Sequence, residues 1–310
     1  MLTLQWFVVG AAVAKTINVA YPSPSWNTSL PISMAKEFGL FTAEGLEVQP
    51  VYVRGVPRRY GRSTWRRRRF RRDRRSHGGY KHSKRSRYRY CRRPHSLHRS
   101  SSYRRQGGVT RLGELKGKVV GVTGSGGVTE FATVEALARK GLLRDKDYTI
   151  LYSGNSPARV NALENGLIQA GAFSAIEKVV MEQKGYPLLL ETGKTIPEFP
   201  FMVIVTSRQK IKAHPSEIMA FLRAVRNSMN LIQTNKEKVI GAALKKDPNA
   251  NVAVLRKSLD YTVDSFSINL AKKNIQALVN AAKLGVNLDA PGAAEKFFLE
   301  DFMNKVLSSK

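Results

Sequence analysis

A chain of 310 residues, 42% apolar and 24% charged, has room for two ordinary domains and the composition of a globular protein. No run approaches the ~20 apolar residues needed for a membrane-crossing helix, which excludes a bundle of such helices, and a lone cysteine, Cys91, excludes an internal disulfide, a thiolate metal cluster and a CxxC redox pair. The net charge of +29 is local: Arg58 to Arg105 holds 21 Lys or Arg against one acid, Asp73, leaving +9 on the other 262 residues.

From the start of the chain, Leu2 to Ala14 is a short apolar stretch ending Ala12-Val13-Ala14, the small-x-small pattern of a signal-peptidase site, without a basic leader. We read residues 1–14 as a truncated export signal with Lys15 as the first mature residue. TINVAY then reads as a strand and PSPSWNTSLP as a loop. A helix is expected around Ile32 to Phe41, followed by the strand LEVQPVYV. Beyond the basic block, KVVGVT is a strand entering Gly124-Ser125-Gly126-Gly127, and Val128 to Lys140 is a helix stopped by Gly141. The strand YTILYS, the helix SPARVNALENG, the strand IQAGAF, the helix AIEKVVMEQKG and the strand PLLLE alternate, as in a parallel sheet covered by helices. PFMVIVTS reads as one more strand. After Pro215 the chain turns helical, with Ile218, Leu222, Val225, Met229 and Ile232 on one stripe.

The helix end Gly39-Leu40-Phe41-Thr42-Ala43-Glu44-Gly45-Leu46 has the form G-L-F-x-x-E-G-L. With TRLGELKGKVVGV (110–122), ALENGLIQAGA (162–172) and the stretch after Gly185, it resembles the periplasmic substrate-binding proteins of ABC importers. The branch it resembles serves nitrate, sulfonates, taurine and thiamine-pyrimidine precursors. That resemblance implies a type-2, two-lobe α/β fold with a hinge and a ligand cleft between lobes. One lobe would comprise residues 15–107 plus 201–310 and the other residues 108–200. It also implies a monomeric, extracytoplasmic receptor that closes on a small-molecule ligand and presents it to an ABC transporter permease, with no chemical step, no cofactor and no metal.

Residues 58–105 fit none of this. An Arg-rich arm with interleaved aromatics is one reading, suited to nucleic acid. A self-repelling, disordered insert is another. The third is a shifted reading frame, because the block replaces a helix and strands that the resemblance requires rather than adding to them. Arginine codons of the form CGN, read one nucleotide later, give GNC, which encodes Ala, Val, Asp or Gly. The stretch from Arg58 then permits AAMAALLG, and Arg87 to Arg92 becomes small residues alternating with Ile or Thr, a strand pattern. The shifted frame is the reading adopted here, and the nucleic-acid arm ranks last. A chain made with the block as encoded is expected to leave its first lobe incomplete and its cleft poorly formed.

Ligand contacts are expected at the carboxyl ends of strands, where open α/β sheets bind. In the first lobe these are Ser23, Ser25, Trp26 and Asn27, with Trp26 as an aromatic wall. In the second lobe the glycine-rich turn offers backbone N–H groups at a helix N-terminus, through Ser125, Gly126, Gly127 and Thr129. Phe173 and Ser174 follow the strand IQAGAF. The turn lacks both the G-K-S/T ending of a phosphate loop and full G-x-G-x-x-G spacing. An enzyme reading, distantly resembling thiamine-pyrimidine synthases, meets a chain with a single histidine outside the block, His214, expected as an exposed helix-start residue, and no Ser-His-Asp, HExxH or paired-carboxylate pattern.

Overall fold

The computed structural model describes residues 15–21, 26–53, 108–281, 287–290, 293–297 and 300–308. The expected signal at 1–14, the residues Ser23 and Ser25, and the block 58–105 lie outside the described residues. All described residues except Gly108 belong to one packed unit.

The first sheet holds β1 (Lys15–Tyr21) and β2 (Leu46–Tyr52), which run parallel with Ile17 opposite Val48. Between them lie α1 (Trp26–Glu37) and α2 (Leu40–Ala43). Here the expectation needs correction: α1 begins at Trp26, so most of the presumed loop PSPSWNTSLP is helical, and Pro31 sits inside the helix. A proline there removes one ladder bond, the one its missing N–H would have made to the carbonyl of Asn27, while the carbonyl of Pro31 accepts from the buried Ser228 hydroxyl at 2.7 Å. Gly39 and Gly45 carry φ of 66° and 71°, the left-handed conformation that lets the chain leave α1 and then enter β2. These positions explain the G-L-F-x-x-E-G-L pattern physically. Its Phe41 is buried and stacks on Phe221 with ring centroids 5.2 Å apart, and its Glu44 carboxylate accepts from Arg223 Nε at 3.0 Å and Nη2 at 2.5 Å.

The second sheet is parallel, in the order β4-β3-β5: β3 (Lys118–Val122), β4 (Tyr148–Tyr152) and β5 (Ala170–Gly171). Its helices are α3 (Val128–Ala138), α4 (Ser156–Glu164) and α5 (Ala175–Gln183). Strand and helix alternate as read from the sequence, but IQAGAF supplies only the two-residue β5. PLLLE is not a strand: its Leu189 and Leu190 pack beneath β3 and α3 as core filling. PFMVIVTS is not a strand either. No partner strand runs beside it among the described residues, and an unpaired strand has no ladder for its backbone.

The remainder is helical: α6 (Thr192–Thr195), α7 (Arg208–Ala213), α8 (Pro215–Thr234), α9 (Lys236–Lys246), α10 (Val252–Asp260), α11 (Lys272–Ala281) and α12 (Glu300–Ser308). The stripe on α8 faces inward as expected: Leu222 and Val225 are buried in one core, against which Ile218 and Met229 pack, and Ile232 is buried in a second. One core joins β1, β2, α1, α2 and α8; a second joins α1, α8, α9 and α10; a third lies under β3 and β4 around Tyr148 and Leu115. α5 meets α10 through Lys178, whose ammonium lies 3.6 Å from the Tyr261 ring centroid, and through Glu182, which pairs with Lys257 at 3.0 Å. Among the described residues no helix is long and apolar enough to cross a membrane.

Candidate functional site

The carboxyl ends of β3, β4 and β5 lie side by side, so three strand-to-helix loops converge there: 123–127, 153–155 and 172–174. Parallel sheets place ligands at this edge because helix N-termini and free backbone groups gather on it. The close approach depends on glycine. A Cβ on Gly121 would lie 2.5 Å from Ile168 Cδ1 and 2.9 Å from Ser153 Oγ, and one on Gly171 would lie 2.8 Å from the Phe173 ring.

The glycine-rich turn is partly self-satisfied. Gly126 N–H donates to Glu130 Oε2 at 2.6 Å, Gly127 N–H to the Gly124 carbonyl, and Thr123 N–H to the Thr129 hydroxyl at 3.0 Å. Glu130, in the first turn of α3, is buried, and its other oxygen accepts from Tyr152 at 2.7 Å and Arg144 at 2.5 Å. Burial works against its ionisation, yet the hydrogen bonds from Tyr152, Gly126 and Arg144 outweigh burial and hold the carboxyl below its ordinary range. A fixed negative charge therefore already occupies part of the cradle. The Ser125 side chain stays exposed at the tip, and the first-turn N–H groups of Val128 and Thr129 have no intrahelical partner by construction.

The residue that organises the edge is Arg159 of α4, which was not singled out from the sequence. Its side chain is buried. Nε donates to the Ala172 carbonyl at 2.9 Å, Nη1 to Thr123 Oγ1 at 2.8 Å and to the Gly154 carbonyl at 2.5 Å, and Nη2 to Ser156 Oγ at 3.1 Å. One guanidinium thus ties together all three loops, and it lies 5.6 Å from the Phe173 ring centroid. Burial lowers its pKa, opposed by the field of Glu177. It forms no ion pair among the described residues, so a buried positive charge stands at the edge with only dipoles and a more distant carboxylate to balance it.

Of the expected site residues, the structure brings Ser125, Gly126, Gly127, Thr129, Phe173 and Ser174 to one edge. Ser174 is committed locally: at the N-cap of α5 its N–H and its hydroxyl both donate to Glu177. Trp26 and Asn27 open α1, after the carboxyl end of β1. His214 is half-buried between α7 and α8 rather than exposed. A surface hollow of about 480 Å³ lies elsewhere, lined by Arg139, Lys140, Glu191 and Lys194. Two of its three cations, Arg139 and Lys194, are already paired with Glu135, Glu198 and Glu191. No group of three or more His, Cys, Asp or Glu among the described residues is placed to hold a metal ion.

A family match falls on this region. Residues 95–238 match the family described as NMT1/THI5 like. The NMT1/THI5-like stretch contains β3, β4, β5, the three converging loops and α8, and it begins inside the last part of the basic block. A solved structure of a Bordetella bronchiseptica RB50 protein is similar over 94% of this chain and 96% of its own, with 14% identity and a TM-score of 0.56. The alkanesulfonate-binding protein SsuA from Xanthomonas axonopodis pv. citri, bound to MOPS, aligns over 58% of this chain and 62% of its own, with 19% identity and a TM-score of 0.44. No curated protein matches the chain.

Proposed function

We propose that the chain is an extracytoplasmic solute-binding receptor that captures a small anionic or polar organic molecule and delivers it to an ABC importer. The NMT1/THI5-like match and the parallel α/β fold support a receptor for small molecules. The observation that carries the anionic preference is Arg159, a buried guanidinium without an ion-pair partner among the described residues, lodged where three loops meet at a sheet's carboxyl edge. An anion at that edge balances the buried charge and meets the unpaired first-turn N–H groups of α3. Ser125, Gly126, Gly127, Thr129 and Phe173 line the second-lobe half of the site, and Trp26 and Asn27, with Ser23 and Ser25, supply the first-lobe half. Sulfonates, taurine, nitrate and thiamine-pyrimidine precursors are the solutes to try.

A thermal-shift screen of the protein made from a frame-corrected gene, against nitrate, alkanesulfonates, taurine and aminopyrimidines, tests this. A ligand that binds only the native state, present at 100 times its Kd, stabilises by about 2.7 kcal/mol. One class is expected to raise the midpoint in a concentration-dependent way. A flat response to all four, from a chain that unfolds cooperatively, removes the receptor reading.

A further inference from the structure

Three helices start at the carboxyl edge of β3, β4 and β5, and their first turns are charged differently. In α3 the buried Glu130 accepts from the Gly126 N–H at 2.6 Å. In α5 Glu177 accepts from the Ser174 N–H at 3.2 Å and from the Ser174 hydroxyl. At both starts a carboxylate of the chain itself takes the place that a helix N-terminus offers to an anion. The start of α4 has no acid in its first turn; Asn155 caps it, accepting from the Ala158 N–H at 3.3 Å, and Arg159 adds a full positive charge to the helix dipole. Arg159 also keeps a donor in reserve. A guanidinium has five N–H bonds, and four are spent on Ala172, Thr123, Gly154 and Ser156. The fifth, on Nη2, meets no acceptor among the described residues, although Arg159 is only 3% exposed. A buried donor left unmade is costly, so an oxygen of the solute is its natural acceptor.

The charges around that donor are nearly balanced. Arg144 pairs with Glu130 at 2.5 Å, and Arg159 lies in the field of Glu177, so two guanidiniums face two carboxylates. Asp145, 3.2 Å from Arg144, is largely exposed and is screened by water and salt. One negative charge is drawn in by its closeness to Arg159 and to the start of α4. A second charge on the same molecule meets the flanking carboxylates. The cost of stripping water from an ion grows as the square of its charge, whereas its attraction to a fixed field grows only in proportion, so a divalent anion loses more than it gains.

We propose that this edge takes a head group bearing a single negative charge, seated against Arg159 at the start of α4, and that Glu130 and Glu177 select against divalent oxyanions. The proposal rests on the solute-receptor reading and narrows its substrate class. Methanesulfonate and sulfate are close in shape and differ in charge, so the pair isolates the claim. The full-length protein made from a frame-corrected gene is titrated with each by isothermal calorimetry, at constant ionic strength and near neutral pH, where sulfate carries two charges. Sulfate should bind at least about 10-fold more weakly than methanesulfonate. Glu130→Gln and Glu177→Gln, which keep an acceptor oxygen in place, should each narrow that gap about 5-fold, the weight of one unit charge about 8 Å away at an effective dielectric constant near 40. Should Glu130→Gln fail to fold, Glu177→Gln decides alone. Equal affinity for the two anions in the parent, or an unchanged ratio in every variant that folds, overturns the proposal and leaves the receptor reading standing. So does a lack of methanesulfonate binding when another solute registers in the thermal screen, whereas a flat screen removes both.

Discussion

Replacing Arg159 by methionine removes the clamp while roughly keeping the side chain's length and apolar stem. Four hydrogen bonds are lost, and the carbonyls of Ala172 and Gly154 lose a donor in a site from which water is largely excluded. Bonds from a charged donor contribute about 1.5–3 kcal/mol each, and four of them must be set against a desolvation penalty of several kcal/mol for a buried guanidinium. The balance is a loss of about 3 kcal/mol. In a chain of 310 residues that corresponds to about 5 °C in the melting midpoint. Urea unfolding followed by circular dichroism reads it directly: the midpoint concentration falls while the slope, which tracks exposed surface, is unchanged. Arg159→Lys keeps the charge but reaches fewer acceptors from a single ammonium, so it should fall between the two. An Arg159→Met protein within about 0.5 kcal/mol of the parent would show that the loops hold themselves together and would refute the clamp.

Four further outcomes follow from the packing. Gly121→Ala forces a Cβ against Ile168 and Ser153 and should cost about 1–3 kcal/mol in the same urea assay. Phe41→Ala empties the space stacked on Phe221 and should cost about 3–5 kcal/mol, tested by thermal unfolding. Tyr148 has a buried hydroxyl with no hydrogen-bond partner among the described residues, and burial pushes its pKa up to about 12; Tyr148→Phe should therefore be neutral or stabilising by about 1 kcal/mol in a denaturant titration. Glu191 is held down to about 2, first by Lys178 at 2.7 Å and then by Lys194. Because its folded pKa lies below the ordinary 4.5, its contribution is complete above about pH 4.5 and fades as the pH falls towards 2. Urea midpoints measured from pH 6 to pH 2 should thus decline less steeply in Glu191→Gln.

The parts of the fold legible in the sequence are those whose cause is local. KVVGVT and YTILYS are short, β-rich and bounded by turns, and the five-residue stripe on α8 repeats at helical spacing, so each announces its own buried face. PFMVIVTS misled for the opposite reason: its pattern is that of a buried strand, but a strand exists only beside another. Of the site, the glycine-rich turn was visible because glycine marks a tight backbone. Arg159 was hidden because its partners Thr123 and Ala172 are brought to it only by the sheet. One local sign was present: a cation in the first turn of α4 opposes the helix dipole, and such a conflict marks a residue held for another purpose. Glu130 gave no such sign, since an acid in a helix's first turn is locally favourable.

The central claim is that a small anionic or polar solute binds at the carboxyl edge of β3, β4 and β5. Hydrogen–deuterium exchange of the protein made from a frame-corrected gene, with and without a saturating alkanesulfonate, taurine, nitrate or aminopyrimidine, tests it most directly. For the solute that binds, slowed exchange should centre on residues 123–129, 153–159 and 172–175, with a second patch at the start of α1. Protection centred on the Arg139–Lys194 hollow, or no change with any of the four, would contradict the account.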